Sequence, residues 1–246
     1  MKNIKMVVAY DGSRFHGFEK QPNVEMTIQG KLESVLSIMT GTTVEVIGAG
    51  RTDAGVHARG MICNAFVESD LSENEIRDYM NKYLPDDICI CDVKEAADRF
   101  HARYKATGKT YMYTCYIGDI KPVFNRKYVY VLNRKPDVEK MREGAKFLMG
   151  SHDFKSFCGN PKMKKSTVRC VDKIDIVCKG SYLTISVHGD GFLQNMVRII
   201  VGTLLEVGWG KKKPEDIPDI IDAQDRNAAG FTAPALGLCL MKVDYN

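Results

Sequence analysis

Apolar positions recur along this chain with two different periods. Residues 4–10 read as a strand, whereas Ile28, Leu32, Val35, Leu36 and Met39 fall at helical spacing and mark one stripe of a helix over residues 27–39. Residues 44–47 and 61–67 are strand-like and flank a long glycine-rich stretch. Ser72 with Glu75 three residues on is a capping-box pattern that opens a second helix, and Pro85 follows its end. Residues 87–93 form a further strand. The order is β-α-β-β-α-β, the split βαβ arrangement.

The same order then recurs. Residues 106–117, rich in Thr, Tyr and Cys, predict a strand. Val138, Met141, Ala145 and Leu148 share one stripe of a helix over 137–149 that Gly150 ends. Residues 167–178 and 182–188 form a hairpin closed by Lys179, Gly180 and Ser181. A strongly apolar helix over 193–207, an additional helix over 214–223 and a last strand over 237–245 complete the half, with a short extra strand at 128–132. The expected fold is α+β, with two similar βαββαβ halves, 1–104 and 105–246. Their antiparallel or mixed sheets are expected to associate, with an active-site cleft between them. The duplication rests on element order, since the halves share no visible sequence identity.

A chain of 246 residues, 44% hydrophobic and 27% charged, is neither disordered nor fibrous. No apolar run reaches the ~18–20 residues of a membrane span, and the N-terminus lacks a signal-like apolar stretch. The expected location is the cytoplasm. Eight cysteines include one C-x-C, Cys89 and Cys91, but no C-x-x-C, and the five histidines lack ligand spacing. The cysteines read as reduced core thiols, and no metal is expected.

Net charge is only +4, but the positive residues cluster. Arg99, His101, Arg103, Lys105 and Lys109 interleave with Phe100, Tyr104, Tyr111 and Tyr113; Lys162, Lys164, Lys165 and Arg169 form a second group, and Lys211 to Lys213 a third. Such a distribution suits phosphate-backbone binding, or else marks solvated faces.

The connection between the strands at 44–47 and 61–67 carries the chemistry. From Gly48 to Gly60 it holds four glycines with Arg51, Asp53, His57 and Arg59 among them. Glycines at that density signal positive φ or close backbone approach. On composition alone a turn-forming aspartate is the simpler reading.

The run Gly50-Arg51-Thr52-Asp53-Ala54-Gly55-Val56-His57-Ala58 resembles the signature of the TruA family of tRNA pseudouridine synthases. Tyr10-Asp11-Gly12-Ser13, Phe100-His101-Ala102-Arg103 with Tyr111-Met112-Tyr113, Gly191 to Arg198, and Thr232-Ala233-Pro234 with Gly237-Leu238 are similar to the family's other motifs, in family order and along essentially the whole chain. The resemblance implies isomerisation of uridine to pseudouridine at positions 38, 39 and 40 of the tRNA anticodon arm, by a homodimer needing no cofactor. It makes Asp53 the nucleophile and Arg198 its ion-pair partner. Tyr111 and Leu238 become substrate contacts, and Arg51 the residue that helps expel the target nucleotide and bind its phosphate. His57 either orients the loop or touches RNA.

The chemistry suits these residue types. The reaction breaks the N1–C1′ bond, turns the uracil and joins C5 to C1′, which calls for a carboxylate near the anomeric carbon and for no redox partner. Attack at C1′, attack at C6 and a glycal route all remain open. An arginine within an otherwise apolar helix is rarely buried unless paired, and beside a carboxylate it opposes the proton uptake that burial favours. Flipping the base out of the arm costs a few kcal/mol. Phosphate contacts must offset that, with Arg103, Lys109, Lys164, Lys165 and Arg169 as candidates. One departure stands out: where the family pattern has Trp-Gln after Gly17, this chain has Phe18-Glu19. A paralogue acting on another uridine and a catalytically silent RNA-binding protein are the alternatives.

Overall fold

The computed structural model describes residues 1–160 and 162–246. In chain order the elements are β1 (Lys2–Tyr10), α1 (Ile28–Thr40), β2 (Val46–Gly48), β3 (His57–Val67), α2 (Glu73–Tyr83), β4 (Ile88–Ala96), β5 (Ala106–Tyr116), β6 (Tyr130–Val131), α3 (Val138–Leu148), β7 (Gly150–Asp153), β8 (Val168–Lys179), β9 (Tyr182–Gly189), α4 (Met196–Gly208), α5 (Ile217–Asp222) and β10 (Leu238–Tyr245). The class is α+β, as the pattern predicts. The chain divides into two compact units, residues 1–107 with 239–246, and residues 108–238. The last strand, grouped by sequence order with the second half, therefore clusters with the first.

In the first unit β1 pairs antiparallel with both β3 and β4, and β2 adds antiparallel to the far side of β3. That order, β4-β1-β3-β2, is the split βαβ arrangement, with β3 inserted between β1 and β2. Ile4, Met6 and Val8 of β1, Ile28, Leu32 and Leu36 of α1, and Ile76 and Met80 of α2 are all buried and supply the core. Each such side chain contributes about 1.5–3 kcal/mol. Both bonds of the Ser72–Glu75 capping box are present, so α2 starts where its sequence says.

A second contact set fixes the segment after β4. Asn3 and Asn64, both buried, share a bond of 3.0 Å from Asn64 Nδ2 to Asn3 Oδ1. Asn3 donates to the carbonyls of Ala97 and Phe100, and Asn64 accepts from the Ala102 N–H. Every polar atom of the pair is thereby used, which removes the cost of burying two amides. Tyr245 of β10 closes the arrangement by donating to the Ala102 carbonyl at 2.7 Å.

The second unit repeats the pattern with β5, β9 and β8 in antiparallel order and β7 on the outer edge of β8. Met141, Ala145 and Leu148 of α3 are buried, and α4 is buried on nearly all sides.

Four expectations need correction. The strand expected at 61–67 begins at His57, because its first residues pair in parallel with β10 at Cys239 and Leu240. The helix expected from 193 begins at Met196, since Asn195 is left-handed (φ 59°) and Met196 N–H turns back to Leu193. The 214–223 segment is a 3-10 turn, Pro214–Asp216, followed by α5. Cys89 and Cys91 are exposed rather than core residues, and the β1–β4 register skips Cys91 as a bulge. Cys63 and Cys115 do behave as core thiols: burial pushes both up, Cys115 to about 12. No helix among the described residues is long and apolar enough to cross a membrane.

Candidate functional site

The stretch that reads as a loop from 48 to 60 is shorter in the structure, leaving β2 at Gly48 and entering β3 at His57. Its eight residues, 49–56, are held by a second segment, residues 10–18. Phe18 N–H donates to the Thr52 carbonyl at 3.1 Å, and Gly55 N–H to the Phe15 carbonyl at 3.3 Å. The Tyr10 hydroxyl meets Thr52 Oγ1 at 2.8 Å in a buried bond. Val56 N–H returns to the Asp53 carbonyl at 3.1 Å, closing a turn with Gly55 left-handed at φ 77°.

Two glycines make the contact between these segments possible. A β-carbon at Gly12 would lie 2.0 Å from the Val56 carbonyl oxygen. One at Gly17, itself at φ 97°, would lie 2.7 Å from the Thr52 carbonyl oxygen. The Tyr10-Asp11-Gly12-Ser13 motif thus serves the aspartate loop: it is the surface the loop rests on.

This scaffold presents Asp53 half-buried, flanked by a buried Thr52 and an exposed Arg51. Thr52 anchors, so its neighbours point elsewhere. Arg51 is ion-paired to Glu19 at 2.5 Å. His57 is buried, with Nδ1 3.1 Å from Gly12 N–H and 3.2 Å from Asp11 Oδ1. Nδ1 accepts from the backbone in one tautomer and donates to the carboxylate in the other, and in both it ties β3 to the Gly12 turn. That placement favours the loop-orienting role for His57.

The second unit organises Arg198. The side chain is half-buried on α4, and its Nε donates to the Ala233 carbonyl at 2.7 Å while Ala233 N–H donates to the Arg198 carbonyl at 3.1 Å. This reciprocal pair fixes the plane of the guanidinium. The segment carrying Ala233 is seated by contacts that the sequence pattern did not single out. Gly202 lets the chain come so near that a β-carbon would sit 1.8 Å from the Phe231 carbonyl oxygen. Thr203 Oγ1 accepts from Gly230 N–H at 2.9 Å. Arg226 donates to the Gly230 carbonyl and to Thr232 Oγ1, both at 2.9 Å. The small residues Ala228, Ala229 and Gly230, with Thr232 and Ala233 after Phe231, were the available signal.

Tyr111 on β5 is buried with its ring edge-on to Phe192, 5.3 Å between centroids. Two residues on, Tyr113 is wholly buried, donates to the Pro234 carbonyl at 2.8 Å, and has its phenol pushed upward by burial. Leu238, buried, opens β10.

The expected RNA contacts divide. Arg103, Lys164 and Lys165 are exposed, and Lys109 is half-buried opposite Gly189. Arg169 turns its guanidinium onto the Ser166 and Val168 carbonyls, a local structural duty. In the third cluster Lys212 is tied to Ala228 and Glu206, and Lys211 lies over the Trp209 ring. Among the described residues no group of three or more His, Cys, Asp or Glu could hold a metal ion.

Comparison with known proteins agrees with these motifs. A family model described as tRNA pseudouridine synthase matches residues 6–105 and 145–246. A tRNA pseudouridine synthase A of Clostridium kluyveri is 44% identical over 245 residues, covering 100% of both chains. Proteins called tRNA pseudouridine synthase A 2 from Bacillus cereus and Bacillus anthracis are each 45% identical over 245 residues, again with 100% of both chains covered. Among solved structures, a chain of a Cbf5–Nop10–Gar1 complex aligns at a TM-score of 0.39 and 11% identity, over 96% of this chain and 48% of that one, too distant to argue from. On the family match and the full-length relatives, the chain belongs to the tRNA pseudouridine synthase family.

Proposed function

We propose that this chain converts uridine to pseudouridine at positions 38, 39 and 40 of the tRNA anticodon stem-loop, with Asp53 as the nucleophile. The observation that carries the reading is the seating of Asp53. It heads a turn bonded to a second segment on both sides, with an anchored Thr52 before it and a left-handed Gly55 after it. A turn-forming aspartate would not need such a frame, whereas a reacting group must be held to a fraction of an ångström.

In this mechanism the carboxylate stabilises positive character at C1′ or forms an adduct as the N1–C1′ bond breaks. The uracil turns, C5 bonds to C1′, the C5 proton leaves to solvent, and N1 takes one up. Arg198 keeps the carboxylate ionised, with its guanidinium plane set by the Ala233 carbonyl. The apolar face of Tyr111 receives the flipped base, Leu238 walls the site, and Arg51 takes the phosphate of the expelled nucleotide. Arg103, Lys109, Lys164 and Lys165 bind phosphates along the arm. No cofactor enters this chemistry. The resemblance also supports a homodimer acting in the cytoplasm.

The test is tritium release from tRNA carrying uridine tritiated at C5. Asp53→Ala is expected to lose activity by on the order of 10⁴-fold or more while still binding tRNA. Turnover within tenfold of wild type would end the assignment.

A further inference from the structure

Phe18-Glu19 stands where the family pattern that this chain resembles has Trp-Gln, and the structure shows what the second of these residues touches. Glu19 places its carboxylate 2.5 Å from Arg51, two residues ahead of Asp53. The pairing is built into the backbone. Phe18 N–H bonds the Thr52 carbonyl, so residues 19 and 51 leave adjacent points of one short ladder. The Glu19 side is itself clamped to α1: Gln29 N–H donates to the Phe18 carbonyl, Lys20 N–H to Gln29 Oε1, and the Lys20 ammonium to the buried Glu33. The Phe18 ring presses so closely on Gly48 that a β-carbon there would be 2.4 Å away. These bonds hold the two backbones side by side, while the exposed side chains they carry can still part.

Both side chains remain well exposed, 44% for Glu19 and 61% for Arg51. An ion pair this open adds little to folding. Its consequence falls on whatever anion Arg51 is meant to receive. A phosphate seeking the guanidinium fork meets a carboxylate already on it, and must displace that carboxylate and then sit beside it. A neutral amide at the same place would leave the fork open.

We infer that Glu19 holds Arg51 in the free protein, makes RNA entry depend on displacing it, and so sets how tightly RNA is bound. The inference rests on the proposed phosphate-binding role of Arg51. It predicts that every RNA engaging Arg51 binds more weakly by the same factor than it would with a neutral residue at position 19.

The test measures binding of an unmodified tRNA anticodon stem-loop RNA across a salt series, together with kcat and KM. Glu19→Gln is expected to tighten binding about three- to tenfold and to lower KM with kcat unchanged. It should also steepen the slope of log K against log salt by about one, because one more cation is left to neutralise phosphate. Glu19→Asp, which keeps the charge, should stay near wild type. In an Arg51→Ala background the gain from Glu19→Gln must vanish. An equal gain in both backgrounds would mean diffuse repulsion and overturn the inference, as would no gain or a loss of affinity. The site reading fails separately: wild-type protein that does not bind this RNA refutes both, whereas normal binding with an unresponsive Glu19→Gln refutes only the role of Glu19.

Discussion

The β8–β9 and β2–β3 hairpins hold equivalent places in the two βαββαβ orders, yet they solve the same connection in opposite ways. β8 and β9 pair from Val171↔Gly189 to Lys179↔Tyr182, and Gly180 and Ser181 alone turn the chain. Gly180 has φ 57°, a positive value that glycine adopts readily in a tight two-residue turn. Such a hairpin satisfies its own backbone. β2 is three residues long, its ladder on β3 ends at Gly48↔Cys63, and the chain leaves the sheet for eight residues. Ala49 N–H still bonds the Ile62 carbonyl and Val56 N–H the Asp53 carbonyl, but Thr52 and Gly55 find their partners in residues 10–18. A connection that closes on itself has no use for reactive side chains. One that leans on a second segment exposes a fixed edge, and Arg51 and Asp53 occupy it.

The comparison can be broken most forcefully at Gly12. Its φ is not positive, so any residue could adopt its backbone, but the β-carbon of an alanine would meet the Val56 carbonyl oxygen at 2.0 Å. Backbone against backbone cannot be relieved by a rotamer. Gly12→Ala should cost about 3 kcal/mol in urea unfolding. It should also lower activity by on the order of 10²-fold by shifting the Asp53 turn. If stability and turnover both stay within error of wild type, residues 10–18 do not support the loop.

Much of this frame was open to a reader of the sequence, and the part that was not has a common cause. The stripe in α1, the Ser72 capping box and the Gly180 turn were legible because each is decided within a few residues. The start of β3 was not. His57 and Ala58 have no strand pattern of their own and are extended because β10 pairs with both and β1 with Ala58, while Arg59 and Gly60 lie at the register shift that follows. β7, Gly150–Asp153, is likewise a strand only by lying along β8. The β10–β3 pairing joins residues more than half the chain apart, in parallel, and nothing local encodes it. Of the residues proposed for the chemistry, Asp53, Arg51 and Arg198 were recognisable from their motifs. The residues that hold them, Thr52 with Tyr10, Glu19 with Arg51, and Thr203 and Arg226 around Gly230, work through contacts set by folding rather than by spacing.

A gentler probe removes one bond and no volume. Tyr10 and Thr52 are both buried, and their hydroxyls meet at 2.8 Å. Tyr10→Phe strands the Thr52 hydroxyl and should cost about 1–2 kcal/mol. Because Thr52 adjoins Asp53, activity should fall further than global stability accounts for when assayed well below the unfolding midpoint. A loss of stability with kcat/KM untouched would make the bond a core contact with no bearing on the loop.

The smallest effect is expected in the hairpin that closes on itself, and it separates two reasons for a glycine. Gly12 lacks room but has an ordinary φ; Gly180 has nothing within 4 Å of a built β-carbon but is left-handed. Gly180→Ala should therefore cost only the left-handed penalty, about 1 kcal/mol. Gly180→Asn should recover part of it, since asparagine visits that region more readily. Pseudouridine formation should not change in either variant, because no residue of this turn is assigned to the chemistry. If Gly180→Ala instead matched Gly12→Ala in its effect on turnover, the two connections would not differ in kind, and the tight hairpin would have to be counted as part of the working site.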